Sequence, residues 1–465
     1  MLFNTPQFFA FLLTVLVLFY ASPHRFRRWI LLAASYFFYM SWNWKFIPLL
    51  LTLTAIDYTA ALYIEKSEGA RRRFFLIVGL SGNLGFLGFF KYYNFLGDNL
   101  ALLLHRPAHA FALAIVLPLG ISFHTFQSMS YIIDVYRGEQ KPIRSPVDYA
   151  LFIAFFPQLV AGPIVRAREF FGNFYAWRAP ENLEQLRGVL LVVLGLAKKM
   201  AFADQFAQIA DIYFSHPMAH AGALSAWKGT GAFALQIFFD FSGYTDMAIG
   251  MALLLGFHFP ANFRRPYLAF SITDFWHRWH MTLSRWLRDY LYIPLGGNRH
   301  GTLATYRNLM LTMLLGGLWH GASWNFVVWG GYHGALLALE RMAGRRMFEQ
   351  RPRWWIYPFR IVLTVGLVTV GWVFFRAATF ADSRYVIAQL FSQAPEVNKI
   401  VIAPWLVWLA VLSLAVAILE ESWDLFERLV KGPAWAYAAA MIILLFVVEL
   451  IGVTDKRIPF VYFQF

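Results

Sequence analysis

The sequence predicts an all-α integral membrane protein that crosses the lipid bilayer many times. Of its 465 residues, 59% are hydrophobic and 14% are charged, whereas an ordinary soluble domain is about 45–50% apolar and about 25% charged. Charge-poor apolar runs of membrane-spanning length recur from Leu2 to Leu450. These runs are continuous and lack a two-residue alternation, so the composition excludes a soluble enzyme, a disordered protein and a β-barrel.

The apolar runs predict about 11–13 transmembrane or re-entrant helices in a single integral domain, residues 1–465. C-terminal helices occupy about residues 355–455. The stretch from Asn308 to Leu339 contains no Asp, Glu, Lys or Arg. As one helix it would be about 48 Å long, against a hydrocarbon core of about 30 Å. We therefore expect a strong tilt or a break near Gly316, Gly317 and Gly321.

Charge and cysteine content narrow the chemistry further. The net charge is +14, from 40 Lys and Arg against 26 Asp and Glu, and contact of cytoplasmic loops with anionic membrane lipid accounts for it. No basic tail or recognition module indicates nucleic acid as a partner. Cysteine is absent, which excludes disulfides, thiolate metal sites and a cysteine acyl intermediate. His277 and His280 are three residues apart without an HExxH pattern, so we predict no metal site.

The most unusual segment is DFWHRWHMTLSRWLRDYLYIPLGGNRH, residues 274–300. Helical spacing predicts one amphipathic helix at the membrane interface or in a shallow re-entrant position. Its apolar face carries Trp276, Trp279 and His280, and its opposite face carries Arg278, Arg285, Arg288 and Asp289. A simple interfacial anchor explains the tryptophans and arginines. It does not explain an imidazole on the apolar face, which makes His280 a candidate functional residue.

A second segment, GGLWHGASWNFVVWGGYHG at residues 316–334, places His320 inside the charge-free stretch. Its glycine neighbours allow another backbone or a ligand to approach closely. A neutral histidine at membrane depth can take a proton from an acceptor hydroxyl, which is general-base catalysis. The alternative is a packing histidine with satisfied hydrogen bonds. We interpret His333 as structural.

Two further segments interrupt apolar runs with polar groups. In FFPQLVAGPIVR, residues 155–166, two prolines and a glycine break the helical pattern, and the polar residues are Gln158 and Arg166. In FFDFSGYTDMAIG, residues 238–250, the polar residues are Asp240, Ser242, Tyr244 and Asp246. Such groups either join helices to each other or line a cavity. Both interpretations stay open for both segments.

Together these segments resemble the membrane-bound O-acyltransferase (MBOAT) superfamily, and most closely its bacterial branch of alginate O-acetylation membrane proteins. The resemblance covers about residues 30–340, in family order. The matching pieces are LLAASYFFY (31–39), GISFHTFQSMSYIIDVYRG (120–138), FPQLVAGPIVR (156–166), FDFSGYTDMAIG (239–250), DFWHRWHMTLSRWLRDYLYIPLGGNR (274–299) and LLGGLWHGASWNFVVWGGYHG (314–334). The closing IPFVYFQF (458–465) is similar to the end of this branch.

The resemblance implies helices around a central funnel or channel, with His320 as the catalytic histidine and His280 as a second active-site histidine. It also implies further residues that contact the donor or line the channel. These candidates are Asp274, Trp276, His277, Arg278, Arg285, Arg288, Asn298, Arg299, Gln158, Arg166, Asp240, Tyr244 and Trp319. The chain departs from the family pattern at His277, where Arg is common, and at His124, where an aromatic such as Tyr is usual.

These observations lead to one functional hypothesis. An acyl thioester, acetyl-CoA, enters from the cytoplasm as donor substrate, with no bound cofactor. His320 takes the proton of an acceptor hydroxyl, which attacks the thioester carbonyl. His280 hydrogen-bonds the developing oxyanion or the donor sulfur, and Arg278, Arg285, Arg288 and Arg299 contact donor phosphates. The resemblance places the protein in a bacterial inner membrane and implies an extracytoplasmic acetyltransferase partner and a polysaccharide acceptor such as alginate.

Several alternatives remain at this point. Within the same enzyme class they are D-alanyl transfer to teichoic acid and O-acetylation of peptidoglycan. In a different class, a polytopic transporter or flippase would use intramembrane His and Asp residues as a proton path. The absence of an internal repeat in the sequence disfavours a transporter. A non-catalytic membrane scaffold is the third class.

Overall fold

The computed structural model describes residues 1–344, 348, 350, 352–453 and 458–461, and within these ranges it contains helices and loops but no strand. The last four residues of the IPFVYFQF motif, 462–465, lie outside the described residues. The helices are α1 (Pro6–Ala21), α2 (His24–Asn43), α3 (Ile47–Lys66), α4 (Gly69–Leu87), α5 (Tyr93–Leu103), α6 (Ile121–Arg137), α7 (Pro146–Ala154), α8 (Ala167–Tyr175), α9 (Asn182–Ala197), α10 (Asp204–Ser215), α11 (Ala223–Leu254), α12 (Ile272–Arg278), α13 (Met281–Leu287), α14 (Gly301–His320), α15 (Trp324–Met342), α16 (Tyr357–Arg376), α17 (Phe380–Leu390), α18 (Pro404–Trp423), α19 (Leu425–Lys431) and α20 (Ala434–Ile451).

Short irregular helical turns join several of these helices. Single 3₁₀ turns occur at Trp44–Phe46, Pro217–Ala219 and Pro266–Leu268. Wider π-helical turns occur at Gly88–Tyr92, Lys198–Ala203 and Arg288–Tyr292. Turns of the π type are rare overall, but those that occur are often found at functional sites. One of the three contains Lys199 and another contains the candidate residue Arg288.

Among the described residues, six helical stretches are long and apolar enough to cross a membrane. They are His24–Lys66, Gly69–Leu103, Ala223–Leu254, Tyr357–Arg376, Pro404–Trp423 and Ala434–Ile451. The predicted class, an all-α multi-pass membrane protein, is therefore confirmed.

The described chain forms two compact units. The N-terminal unit comprises residues 1–192 and 247–260, and the C-terminal unit comprises residues 193–246 and 261–465. Two of the three boundaries between them fall inside α9 and α11, and the third lies in the loop between residues 260 and 261. Whether the whole chain acts as one domain stays a prediction.

In the N-terminal unit, α3, α4 and α6 pack around a buried polar pair. The Asn83 side-chain amide donates to the Asp57 carboxylate at 2.6 Å, and both side chains are fully buried. The prediction of an interrupted helix at residues 155–166 is confirmed, because α7 ends at Ala154 and α8 begins at Ala167. Proline lacks a backbone donor and resists helix continuation, which explains the interruption at Pro157 and Pro163.

In the C-terminal unit, α14 and α15 form a hairpin whose backbones approach closely. A Cβ added to Gly317 would collide with the carbonyl oxygen of Phe326, and one added to Gly330 would collide with that of Met313. The charge-free stretch breaks after His320, and the next helix begins at Trp324. The break predicted near Gly321 is therefore confirmed.

The prediction of one amphipathic helix over residues 274–300 is wrong. Helix α12 ends at Arg278 and α13 begins at Met281. Between them Trp279 is extended, with φ −102° and ψ 129°, and His280 is left-handed, with φ 43° and ψ 52°. Hydrogen bonds to the segment around Asn262 hold the backbone here: the Met281 N–H donates to the Asn262 carbonyl at 2.9 Å.

Candidate active site

The two histidines that the sequence singled out lie side by side in the C-terminal unit. Their ring centroids are 6.5 Å apart; His280 is fully buried and His320 is 6% exposed. Because each ring nitrogen lies about 1.2 Å from its centroid, nitrogens of the two rings are at least about 4 Å apart, too far for a direct hydrogen bond.

Aromatic side chains surround His320, which is the last residue of α14. The rings of Trp319, Trp329 and Phe375 lie edge-on to its imidazole, with centroid distances of 5.0, 5.1 and 5.2 Å. These residues come from α14, α15 and α16, so three helices enclose the ring. Aromatic side chains therefore shield the His320 imidazole from solvent on several sides.

His280 occupies the tight turn between α12 and α13. Phe241 of α11 packs edge-on against its ring at 4.7 Å, and Trp319 lies 6.1 Å away. On its other side the ring nitrogen Nδ1 is 3.1 Å from Oδ1 of Asn262. Asn262 was not predicted from the sequence. The one feature that could have indicated it is that Asn262 is a short polar residue in the otherwise apolar and basic stretch FPANFRR, residues 259–265.

Asp274 and Arg278 form a local ion pair on α12. The Arg278 Nε donates to Asp274 Oδ1 at 2.8 Å, and its Nη1 donates to Glu421 at 3.2 Å. Two carboxylates therefore compensate the charge of Arg278. A contact of this guanidinium with donor phosphates stays a prediction, and it would require competition with both carboxylates.

Trp276 belongs to the aromatic cluster next to His320. Its ring lies 5.7 Å from Trp329 and 5.2 Å from His333. His333 is fully buried among aromatic rings, consistent with the structural interpretation made from the sequence.

The remaining candidates of the 274–300 segment lie towards its surface. Arg285 is half-buried in the last turn of α13, and Arg288 is exposed and pairs with the neighbouring Asp289 at 2.7 Å. The exposed candidates are His277, Arg288, Asn298 and Arg299. Their roles in donor contact stay predictions.

Asp240 and Tyr244 lie in a second buried cluster of the C-terminal unit. The Lys199 ammonium is 2.7 Å from carboxylate oxygens of both Asp204 and Asp240. The other Asp240 oxygen accepts the Val461 N–H at 2.7 Å. Phe460 packs against Tyr244 at 4.7 Å and lies 4.6 Å from the Lys199 ammonium. The structure thus shows Asp240 as an ion-pair partner, and its lining of a channel stays a prediction.

Gln158 and Arg166 lie in the N-terminal unit, and both are buried. The Gln158 side-chain amide donates to the Phe152 carbonyl at 2.8 Å. The Arg166 backbone N–H donates to Glu169 at 3.0 Å at the start of α8. These bonds satisfy the Phe152 carbonyl near the end of α7 and the Arg166 N–H at the start of α8. As for metals, no group of three or more His, Asp or Glu able to hold an ion occurs among the described residues.

Two adjacent buried histidines in a helical membrane protein are suited to general-base catalysis of acyl transfer to a hydroxyl. The sequence profile of MBOAT, the membrane-bound O-acyltransferase family, matches residues 139–379, a range that contains His280 and His320. The chain belongs to this family and is a multi-pass membrane O-acyltransferase.

Three relatives indicate the branch of the family. The chain is 40% identical to a probable alginate O-acetylase AlgI of Pseudomonas putida, over 100% of both chains. It is 45% identical to a probable alginate O-acetylase AlgI of Azotobacter vinelandii, over 84% of this chain and 78% of that one. It is also 40% identical to a peptidoglycan O-acetyltransferase of Helicobacter pylori, over 83% of this chain and 79% of that one. The resemblance proposed from the sequence motifs is confirmed.

Proposed function

We propose that the protein transfers an acetyl group from cytoplasmic acetyl-CoA across the bacterial inner membrane for O-acetylation of an extracytoplasmic polysaccharide such as alginate, through an extracytoplasmic acetyltransferase partner. The pair of buried histidines with ring centroids 6.5 Å apart is the observation that carries this proposal. Similarity to alginate O-acetylases over most of the chain supports the polysaccharide acceptor.

The proposed chemistry uses His320 as general base. Neutral His320 takes the proton of the acceptor hydroxyl while the hydroxyl oxygen attacks the thioester carbonyl, and the carbon–sulfur bond then breaks to release the thiolate. The aromatic enclosure keeps bulk water away from the thioester, which limits its hydrolysis. His280 contacts the same reacting group from the other side of the gap between the two rings.

Donor phosphates need cationic contacts outside this apolar enclosure. Arg299 is exposed and Arg278 is already paired with Asp274 and Glu421. We therefore place Arg299 ahead of Arg278 as the phosphate contact, with Arg285 and Arg288 as further candidates. Arginine is suited to this task because its planar guanidinium binds phosphate through two parallel hydrogen bonds.

Reconstituted vesicles test this proposal. Purified protein is placed in proteoliposomes with radiolabelled acetyl-CoA outside and deacetylated alginate oligosaccharide, with its acetyltransferase partner, on the opposite side. Acetyl ester formation on the oligosaccharide supports the proposal. Label that crosses the bilayer without becoming ester-linked indicates a transporter and contradicts it.

A second acceptor has a specific observation in its favour, the 40% identity to a peptidoglycan O-acetyltransferase. Parallel vesicles containing muropeptides, or a D-alanyl thioester with teichoic acid, measure these alternatives. Ester formation on muropeptides alone would replace alginate with peptidoglycan as the acceptor. Activity with the D-alanyl donor alone would overturn both the donor and the acceptor of the main proposal.

A further inference from the structure

The side-chain oxygen of Asn262 gathers three hydrogen-bond contacts beneath His280. Oδ1 lies 3.1 Å from Nδ1 of His280, and it accepts from the Thr282 backbone N–H at 3.2 Å and from the Thr282 hydroxyl at 2.9 Å. All three side chains are buried. The turn that carries His280 is therefore built around one amide oxygen.

The Thr282 backbone N–H establishes which atom of the Asn262 amide faces this turn. A backbone N–H can only donate, so the side-chain atom opposite it must be the oxygen. Rotating the amide would place its NH₂ group against that N–H, donor against donor. The contact from His280 is therefore a contact with an acceptor.

This acceptor determines the tautomer of His280. Because Asn262 Oδ1 cannot donate, Nδ1 of His280 must carry the proton. In the neutral imidazole the lone pair then lies on Nε2. A neutral His280 of this tautomer accepts a proton at Nε2 and cannot donate a hydrogen bond there, so it is not an oxyanion donor unless it is first protonated.

Backbone hydrogen bonds hold this arrangement in place. The Met281 N–H donates to the Asn262 carbonyl, and the Arg264 N–H donates to the Arg278 carbonyl, each at 2.9 Å. His280 has φ 43°, a left-handed conformation that is costly for a residue with a Cβ and persists only where the surroundings enforce it. The segment around Asn262 supplies that enforcement.

The partner of His280 is an uncharged amide. A carboxylate at the same place would stabilise the imidazolium, and an amide does not. The ring also packs near Phe241, Trp319 and the titratable His320. Neutral His280 therefore has a proton-accepting nitrogen, and its ring centroid lies 6.5 Å from that of the proposed base.

We propose that Asn262 is a positioning residue that makes His280 a proton acceptor in the transfer reaction, which rests on the function proposed above. His320 takes the proton of the acceptor hydroxyl as the new carbon–oxygen bond forms. The His320 imidazolium gives that proton to Nε2 of His280 through one bound water molecule, and His280 passes it to the thiolate released when the carbon–sulfur bond breaks. The proton given up by the hydroxyl thus ends on the thiol, and both histidines return to their neutral state.

Nitrogen-15 NMR of histidine-labelled protein in nanodiscs tests the tautomer without reference to activity. The His280 signals are assigned as those missing from His280→Gln. We expect a protonated Nδ1 and an unprotonated Nε2 near neutral pH. A protonated Nε2 on a neutral His280 would overturn the inference, whatever the enzyme transfers.

Kinetics of Asn262 variants provide a second test. Loss of one hydrogen bond to a catalytic group corresponds to about a tenfold change in a rate constant. Asn262→Ala removes the contact with His280 and should therefore lower kcat about tenfold with little change in KM. Thr282→Val is the matched control, because it removes one donor to the same oxygen but leaves the contact with His280. Equal losses in the two variants would show that Asn262 only supports the turn, and would contradict the proposal.

The isosteric variant Asn262→Asp separates positioning from simple packing. It keeps an acceptor oxygen but introduces a carboxylate that stabilises the His280 imidazolium. We expect the acid limb of the kcat profile to move to higher pH, with activity retained above it. An unchanged profile would contradict the inference.

The variant His320→Gln in the same assay keeps the two proposals distinguishable. A fully active His320→Gln enzyme refutes the proposed function. An inactive His320→Gln enzyme combined with normal Asn262 variants refutes only the role of Asn262.

Discussion

Neighbouring residues of α11 join two buried polar clusters of opposite character. Phe241 packs against His280 in a cluster of imidazole rings, aromatic rings and one amide. Asp240, one residue earlier, belongs to the charged cluster, in which the Lys199 ammonium is bound between two carboxylates, those of Asp204 and Asp240. Both clusters lie in the C-terminal unit.

The comparison shows how one membrane helix can serve both structure and chemistry. In the charged cluster the Lys199 ammonium is bound by two carboxylates, so these groups are held in place and are poorly suited to react. The Asn262 amide that contacts His280 is uncharged, which favours the neutral imidazole that proton transfer requires. Variants of the residues in each cluster test this division of roles.

The largest expected effect is on catalysis. His320→Gln should lower the rate of acetyl transfer by about 10²–10⁴-fold, since it removes the general base. The rate is measured per folded molecule in proteoliposomes. His333→Gln is the matched control, because His333 is also a buried histidine of the aromatic cluster, and we expect its rate to stay within about threefold of the wild type. Comparable losses in both variants would mean that the aromatic cluster as a whole, and not His320, is required.

The second prediction concerns the charged cluster. Lys199→Met leaves Asp204 and Asp240 buried without their cation and should destabilise the fold by about 3–5 kcal/mol. The measurement is the apparent melting temperature in detergent. Lys198→Met is the matched control: its ion pair with Asp246 is partly exposed, with side chains 22% and 19% accessible, and we expect a loss of about 1 kcal/mol or less. If Lys199→Met abolished transfer at an unchanged melting temperature, the charged cluster would belong to the catalytic machinery and the comparison would fail.

The third prediction concerns the α14–α15 hairpin that carries His320 and Trp329. Gly317→Ala should destabilise the protein by about 1–3 kcal/mol, because its Cβ would collide with the Phe326 carbonyl. Gly331→Ala is the control, since a Cβ there meets only a Leu314 methyl group at 3.5 Å, an ordinary contact. Thermal denaturation of the two variants should differ accordingly. Equal stability would show that close backbone approach does not hold the uncharged cluster.

The smallest expected effect lies at the start of α11, the helix shared by both clusters. The Ser225 hydroxyl and the backbone N–H groups of Leu224 and Ser225 donate to Glu396. The bond from the Ser225 hydroxyl is the main cause that lowers the pKa of Glu396 below its ordinary value of 4.5. A carboxylate with a lowered pKa stabilises the fold above its ordinary value, and this contribution is lost as the pH falls through the lowered value.

Glu396→Gln should therefore lower the melting temperature slightly at pH 7, and the difference should shrink below about pH 4. The control is Glu181→Gln, which alters an exposed carboxylate, 75% accessible, paired with Arg178 at 3.4 Å. A difference between wild type and Glu396→Gln that grew on acidification would have the wrong sign for this explanation.

Much of the site could be predicted from the sequence because its signals are local. An imidazole in a charge-free apolar stretch flanked by glycines is visible without any structure, and so is the helix break that follows it. His280 was identified for the same reason, as a polar residue in an apolar pattern. Its conformation was not, because helical spacing alone favoured one continuous helix over residues 274–300.

Asn262 and Asp240 show why the rest could not be predicted. Asn262 contacts His280 across 18 residues of chain, and nothing in its own neighbourhood indicates that partner. Asp240 was open to two interpretations from the sequence. Its contacts with Lys199, 41 residues earlier, and with Val461, 221 residues later, show that it joins distant segments, while its lining of a channel stays a prediction.

The sequence by itself determined the membrane location, the all-α class, the family and the choice of His280 and His320 as candidate residues. The lengths of the apolar runs and the composition of local motifs carry that information. Only the tertiary structure decided that the two imidazoles lie 6.5 Å apart, that the Asn262 amide contacts His280, and that the nearby charges are paired with each other. Those properties depend on which distant segments of the chain pack together. They also depend on which polar atoms that packing brings into contact.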